Sequence, residues 1–192
     1  MIKNYDDYKE YIKLDRIANK KKFKSLNIFH YLGFGEAILV FLVLLRKVEY
    51  IKNSKKGFLW KFYYKFLYLI FVRHSMKLGF SIPLNVLGAG VSIPHRGTIV
   101  INNNVEIGRN CRIHVCVNIG AHKGLAPKIG NNVYIGPGAK IFGDITIANS
   151  IAIGANAVVN KSFNEECITI GGIPARKISN MSSEELIPNY EK

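Results

Sequence analysis

Residues 92–120, "SIPHRGTIVINNNVEIGRNCRIHVCVNIG", set isoleucines at positions 101, 107, 113 and 119. A spacing of six is too long for a helical turn and is three times the alternation of a strand. After one irregular gap the count resumes at Ile129, Ile135, Ile141, Ile147, Ile153 and Val159. A second row stands two residues earlier: Ile99, Val105, Cys111, Val117, Val133, Ala139, Ile145, Ile151 and Ala157, with Pro127 inside the gap as its exception. Glycine often follows the beat, at 108, 120, 130, 136 and 154.

A repeat of this length is read before local propensity. Each hexad supplies a short strand, whose residues two apart share one face, then a turn in which Gly or Asn relieves the backbone. One hexad cannot bury its apolar residues. Three hexads closed into a triangular coil can, and coils then stack at the spacing of neighbouring strands. The predicted fold is therefore mainly β, a parallel β-helix with about eighteen residues per coil, preceded by a helical region.

The count breaks twice, and histidines lie at both breaks. Between Ile119 and Ile129 the gap is ten residues, so part of "GAHKGLAPK" must bulge outward with His122 and Lys123. Around "IPHRGTIV" the register slips, and the slip holds His95. Eighteen residues before His114 lies Arg96, which predicts that the His95 and His114 rings are neighbours on one prism edge. That edge continues through Gly136 and Pro137 to Gly154 and Ala155. A phase shift that holds the one side chain poised to titrate near neutrality marks His95 as a candidate base.

The net charge of +14 is unevenly shared. Residues 1–78 carry 17 Lys/Arg against 6 Asp/Glu, a balance of +11; residues 79–192 carry 10 against 7, or +3. No nucleic-acid-reading motif accompanies this charge, and its basic residues are interleaved with bulky apolar ones, which fits a membrane surface better. Residues 1–78 contain no proline and read as helical. The apolar run 37–45 is far shorter than the roughly 20 residues needed to span a bilayer. "GFLWKFYYKFLYLIFVRHSMK" reads either as a helix buried in a trimer or hexamer contact or as an interfacial helix with snorkelling lysines. Residues 179–192 are polar and read as a loose tail. Three cysteines without a CxxC pair, and no secretory-type apolar core at the N-terminus, point to a reducing, cytoplasmic setting.

The hexads resemble those of the hexapeptide-repeat acyltransferases. That resemblance implies a left-handed prism, a homotrimer with sites between protomers, and acetyl-CoA as co-substrate. Within that superfamily "IPHRGTIV", "PKIGNNVYIGPGAKIFGDITI" and "GGIPARKI" resemble the serine acetyltransferase branch over about residues 79–178. The resemblance puts His95 in the general base's place; His114, its neighbour by the eighteen-residue count, is the candidate to orient the acceptor or to supply a polarising partner. The same resemblance puts Pro137, Gly138 and Ala155 along the acetyl-CoA groove, and Arg176 and Lys177 near the cofactor's phosphates; Gly120 and Ala121 of the excursion loop are further candidates for the cofactor. The departures concern the acceptor. Pro94 replaces the branch's aspartate before the base, Leu125 and Ala126 replace an Arg-His pair, and Phe80 or Ser81 stands where an orienting carboxylate belongs. Those missing groups serve to hold serine, and charges left unpaired in a closed site are costly. The expected reaction is thus acetyl transfer to a sugar hydroxyl of a surface polysaccharide, with Arg96, Asn118, His122 and Lys123 contacting the glycan. Serine O-acetylation is the alternative. A zinc site of three histidines, as in the carbonic anhydrases that share this prism, and a non-catalytic membrane-bound scaffold are further readings; no metal is expected.

Overall fold

The computed structural model of the chain describes residues 1–20 and 36–189. Among the described residues three helices precede a solenoid: α1 (Tyr5–Ala18), α2 (Ala37–Ser54) and α3 (Phe58–Leu78). Asn4 starts α1, its side-chain oxygen accepting from the Asp6 and Asp7 amides at 2.9 Å, and so satisfies two of the donors that a helix start leaves orphaned. Gly79, in the left-handed region at φ 76°, ends α3. The solenoid follows at once, with β1 at Phe80–Ser81. The apolar run 37–45 lies in α2; extending it back to Ile28, as a membrane span would require, takes it into residues outside those described. Among those described, no helix is long and apolar enough to cross a membrane.

Three parallel faces make the prism. Face A stacks β1, β2 (Ile99–Ile101), β5 (Val117–Gly120), β8 (Lys140–Phe142) and β11 (Val158–Val159). Face B stacks β3 (Glu106–Ile107), β6 (Lys128–Ile129) and β9 (Thr146–Ile147). Face C stacks β4 (Arg112–Ile113), β7 (Tyr134–Ile135), β10 (Ala152–Ile153) and β12 (Thr169–Gly171), closed by antiparallel β13 (Arg176–Ser179). The beat residues point inward: Ile113, Ile119, Ile135, Ile141, Ile147, Ile153 and Val159 have no exposed surface. Each such isoleucine contributes about 2 kcal/mol of burial, and the stacked coils hold all of them in one core.

The turns obey the same column rule. Asn110, Asn132, Ser150 and Cys167 share one edge and all have φ between 55° and 58°, a region where asparagine is tolerated and most residues are not. Side chains also stack there: Asn131 Oδ1 accepts from the Arg109 amide and Asn149 Oδ1 from the Asn131 amide, each at 2.8 Å.

A buried ionic group joins helices to prism. Arg46 of α2 has no exposed surface. Its guanidinium donates to Asp15 Oδ2 at 2.8 Å, Glu49 Oε2 at 3.1 Å, and the carbonyls of Leu87 and Gly88. Asp15 in turn accepts from the Gly90 and Val91 amides. Burial pushes the Asp15 carboxyl up, against the pull of Arg46 and those two amides.

Up to Asn189 the C-terminal segment is not loose; residues 190–192 lie outside those described. Ser183 is buried and its hydroxyl donates to the Asn132 carbonyl, Ile187 is buried, and Asn189 Nδ2 donates to Asn110 Oδ1 at 2.7 Å. The polar composition of this stretch serves specific hydrogen bonds along the asparagine-lined edge, which its sequence does not reveal.

Candidate active site

Both breaks in the count are explained by register. Ser92 pairs with Arg112, an offset of 20, whereas Ile99 pairs with Val117, an offset of 18. Two extra residues are therefore accommodated between Ser92 and Ile99, in the turn that carries His95, Arg96 and Gly97. At the second break Asn118 pairs with Lys140, an offset of 22, so four residues enter the loop after β5. His122 and Leu125 pinch that loop through reciprocal backbone bonds of 2.8 and 3.0 Å.

The first break brings two imidazoles together. The His95 and His114 ring centroids are 6.2 Å apart, tilted by 48°. They sit on the edge where face C turns into face A. Tyr134, one coil above on face C, stands 5.1 Å from His114. His95 is exposed; His114 is half-buried, with its Nε2 shielded from solvent and without a hydrogen-bond partner among the described residues. Burial lowers the His114 pKa below its ordinary value, and the charge of Arg112 and the nearness of His95 lower it further. His114 is thus kept neutral. Phe80 is buried in the core and Ser81 lies on strand β1. Among the described residues, neither histidine has a hydrogen bond or ion pair to a carboxylate in the same chain.

Small residues continue this edge upward. Ile113, Ile135, Ile153 and Ile170 are register partners or their successors, so Gly136 and Gly154 follow His114 in the column. A Cβ on Gly136 would lie 2.6 Å from the Ile153 carbonyl oxygen, which leaves no room for a side chain against that backbone. Pro137, Gly138 and Ala155 lie on the same edge: the Gly138 amide donates to the Val115 carbonyl and the Asn156 amide to the Pro137 carbonyl. The result is an edge of small residues running along the prism axis above the histidines, with Lys140 Nζ donating to the Cys116 and Gly138 carbonyls beside it. Arg176 and Lys177 lie on β13 at the far end of face C. Lys177 is ion-paired with Glu165, and Arg176 is exposed.

The loop residues are placed elsewhere. Gly120 ends β5, and Ala121, His122 and Lys123 follow it at the edge where face A turns into face B. They are separated from His95 and His114 by the width of face A. Asn118 is exposed on that face, between the two edges, and Arg96 is exposed in the His95 turn. One chain therefore brings together His95, His114, Arg96 and the small-residue strip, but not the loop. The three histidines do not converge, and no metal-binding cluster occurs among the described residues. Cys111 is buried, its thiol pushed up to about 12 by desolvation.

Two contributors were not singled out from sequence, Tyr134 and Arg112. The offset of 22 pairs them directly, and the four-residue insertion was enough to compute it.

No family model matches the sequence. A serine acetyltransferase of Synechococcus elongatus is 36% identical over 96 residues, 48% of this chain and 39% of that protein. One from Buchnera aphidicola is 31% identical over 131 residues, 64% and 47% of the respective lengths. The matched region spans under half of each of these curated relatives. Among solved structures, the serine acetyltransferase of Brucella abortus superposes with a TM-score of 0.71 at 24% identity, covering 93% of this chain and 71% of that one. The soybean enzyme complexed with serine gives 0.66 at 22%, covering 91% and 70%. The chain has the left-handed hexapeptide-repeat β-helix fold of these acyltransferases, and serine acetyltransferases are among its homologues.

Proposed function

We propose that the protein is an acetyl-CoA-dependent O-acetyltransferase in which His95 is the general base. The observation that carries this is the His95–His114 pair at the foot of an edge that continues upward through small residues. The strip suits an extended thioester substrate, with Pro137, Gly138 and Ala155 along it and Arg176 at its far end. His95 Nδ1 or Nε2 takes the proton of the acceptor hydroxyl as the oxygen attacks the thioester carbon. The C–S bond then breaks, and His95 returns the proton to the departing thiolate. General-base assistance of this type contributes about 10²–10⁴ in rate. His114, held neutral, adds no repulsion when His95 becomes charged.

The loop amides from Gly120 to Gly124 are the expected oxyanion donors. Because they occupy the opposite edge of face A, they reach the base of a neighbouring chain rather than their own. The working unit we propose is accordingly a homotrimer with sites at the seams.

Serine is the acceptor supported by the names of the homologues. A sugar hydroxyl is a second reading, favoured by one feature of the loop. Leu125 is exposed and Ala126 buried, so those two positions offer nothing to pair with an amino acid's carboxylate. Thiol release from acetyl-CoA, measured with L-serine and with hexoses and N-acetylhexosamines in parallel, discriminates the two. His95→Ala should lower kcat by about 100-fold or more with an unchanged melting profile. Near-normal turnover in that variant would overturn the assignment.

A further inference from the structure

Helix α3 carries two apolar faces. One, with Leu67, Phe71 and Leu78, is buried against the protein. The other is formed by Phe58, Phe62, Phe66, Leu69 and Met76, spaced to fall in one stripe. These five side chains are 60–76% exposed. Leu59 beside them is 81% exposed. The stripe runs along a helix of 21 residues, about 30 Å long. Lys61, Lys65, Arg73 and Lys77 lie on or beside it, and residues 50–105 contain no Asp or Glu.

That charge pattern decides what covers the stripe. A second copy packed on it helix to helix, α3 against α3, would oppose four cations to four cations with no carboxylate on either helix, a like-charge arrangement that disfavours association. An anionic bilayer surface supplies the missing negative charge, while the rings enter the headgroup–acyl boundary and the lysines snorkel. We infer that α3 docks the protein peripherally on anionic phospholipid, with the Phe58–Met76 stripe inserted and Lys61, Lys65, Arg73 and Lys77 on the headgroups. This inference is independent of the acetyl-transfer reading.

Co-sedimentation of the full chain with phosphatidylglycerol/phosphatidylcholine vesicles, against pure phosphatidylcholine, tests it. Binding should require phosphatidylglycerol and fall steeply with added salt. Lys61→Gln with Lys65→Gln should weaken binding about 25-fold, about fivefold for each cation. Phe62→Ser, Phe66→Ser and Leu69→Ser together should abolish it, with the circular-dichroism melt unchanged because these side chains support no core. Failure to bind anionic vesicles, or binding indifferent to both variant sets, overturns the inference. So does light scattering showing that the serine variant falls to a smaller assembly, since a second copy would then be the occupant.

Discussion

His114 shows how one position combines packing with chemistry. Its ring is half-buried between His95 and Tyr134 beneath a glycine column, and its pKa is depressed by burial and by Arg112. The linkage has a definite sign. In the unfolded chain the imidazole takes up its proton near pH 6.5, whereas the folded protein resists doing so until lower pH. The neutral ring's contribution to stability is thus complete above about pH 6.5 and lost as the pH falls toward the folded value. Thermal melts between pH 7.5 and 5, about the range in which a histidine titrates, should show His114→Asn losing less stability on acidification than the parent. Parallel curves would mean that the ring protonates freely in the fold. The neighbouring His95 was legible from sequence because it sits in a register slip. Arg112 and Tyr134 were not singled out, since nothing about either residue type is unusual until the insertion fixes their pairing.

At the scale of elements, the strands were readable almost residue by residue, because a side-chain period admits one inward set and the set repeats. The helices were readable as helices but not as partners. Arg46 in the apolar run "LVLLRKVEYI" looks like a surface residue, yet it lies wholly buried between Asp15, Glu49 and two carbonyls of the first coil. Such a pairing depends on three segments distant in sequence, and no local pattern encodes it. Arg46→Met should destabilise the protein by about 3–5 kcal/mol, because it leaves two carboxylates buried without their counter-charge. Urea titration measures this; a loss below about 1 kcal/mol would imply that water solvates the site. The polar segment 179–189 misled for a related reason. Its serine and asparagine side chains find partners in the turn column of Asn110 and Asn132, and composition alone records polarity without partners.

At the scale of the molecule, the two edges of face A divide the chemistry. His95 and the small-residue strip occupy one, and the Gly120–Gly124 loop the other. A shared site predicts complementation. His95→Ala protein has an intact loop, and a variant with residues 121–126 replaced by a short turn has an intact base; each alone should be inactive. Co-refolding the two should restore thiol release, because a seam formed by the base of one and the loop of the other is complete. Absence of any recovery, with mixed assemblies verified by mass, would place the whole site within single chains. The ends of the solenoid carry a different consequence. Arg46 donates to carbonyls of the lowest coil, the Leu78 and Gly79 carbonyls at the end of α3 accept from its Gly97 and Ile99 amides, and β13 with the Gly172–Ala175 segment engages the strands of the highest. A stack of coils with bare rims would invite another stack to continue it, indefinitely and in register. By stoppering both rims with its own chain, the protein keeps a geometry suited to fibres finite, and trimming either stopper should turn a finite particle into a filament former.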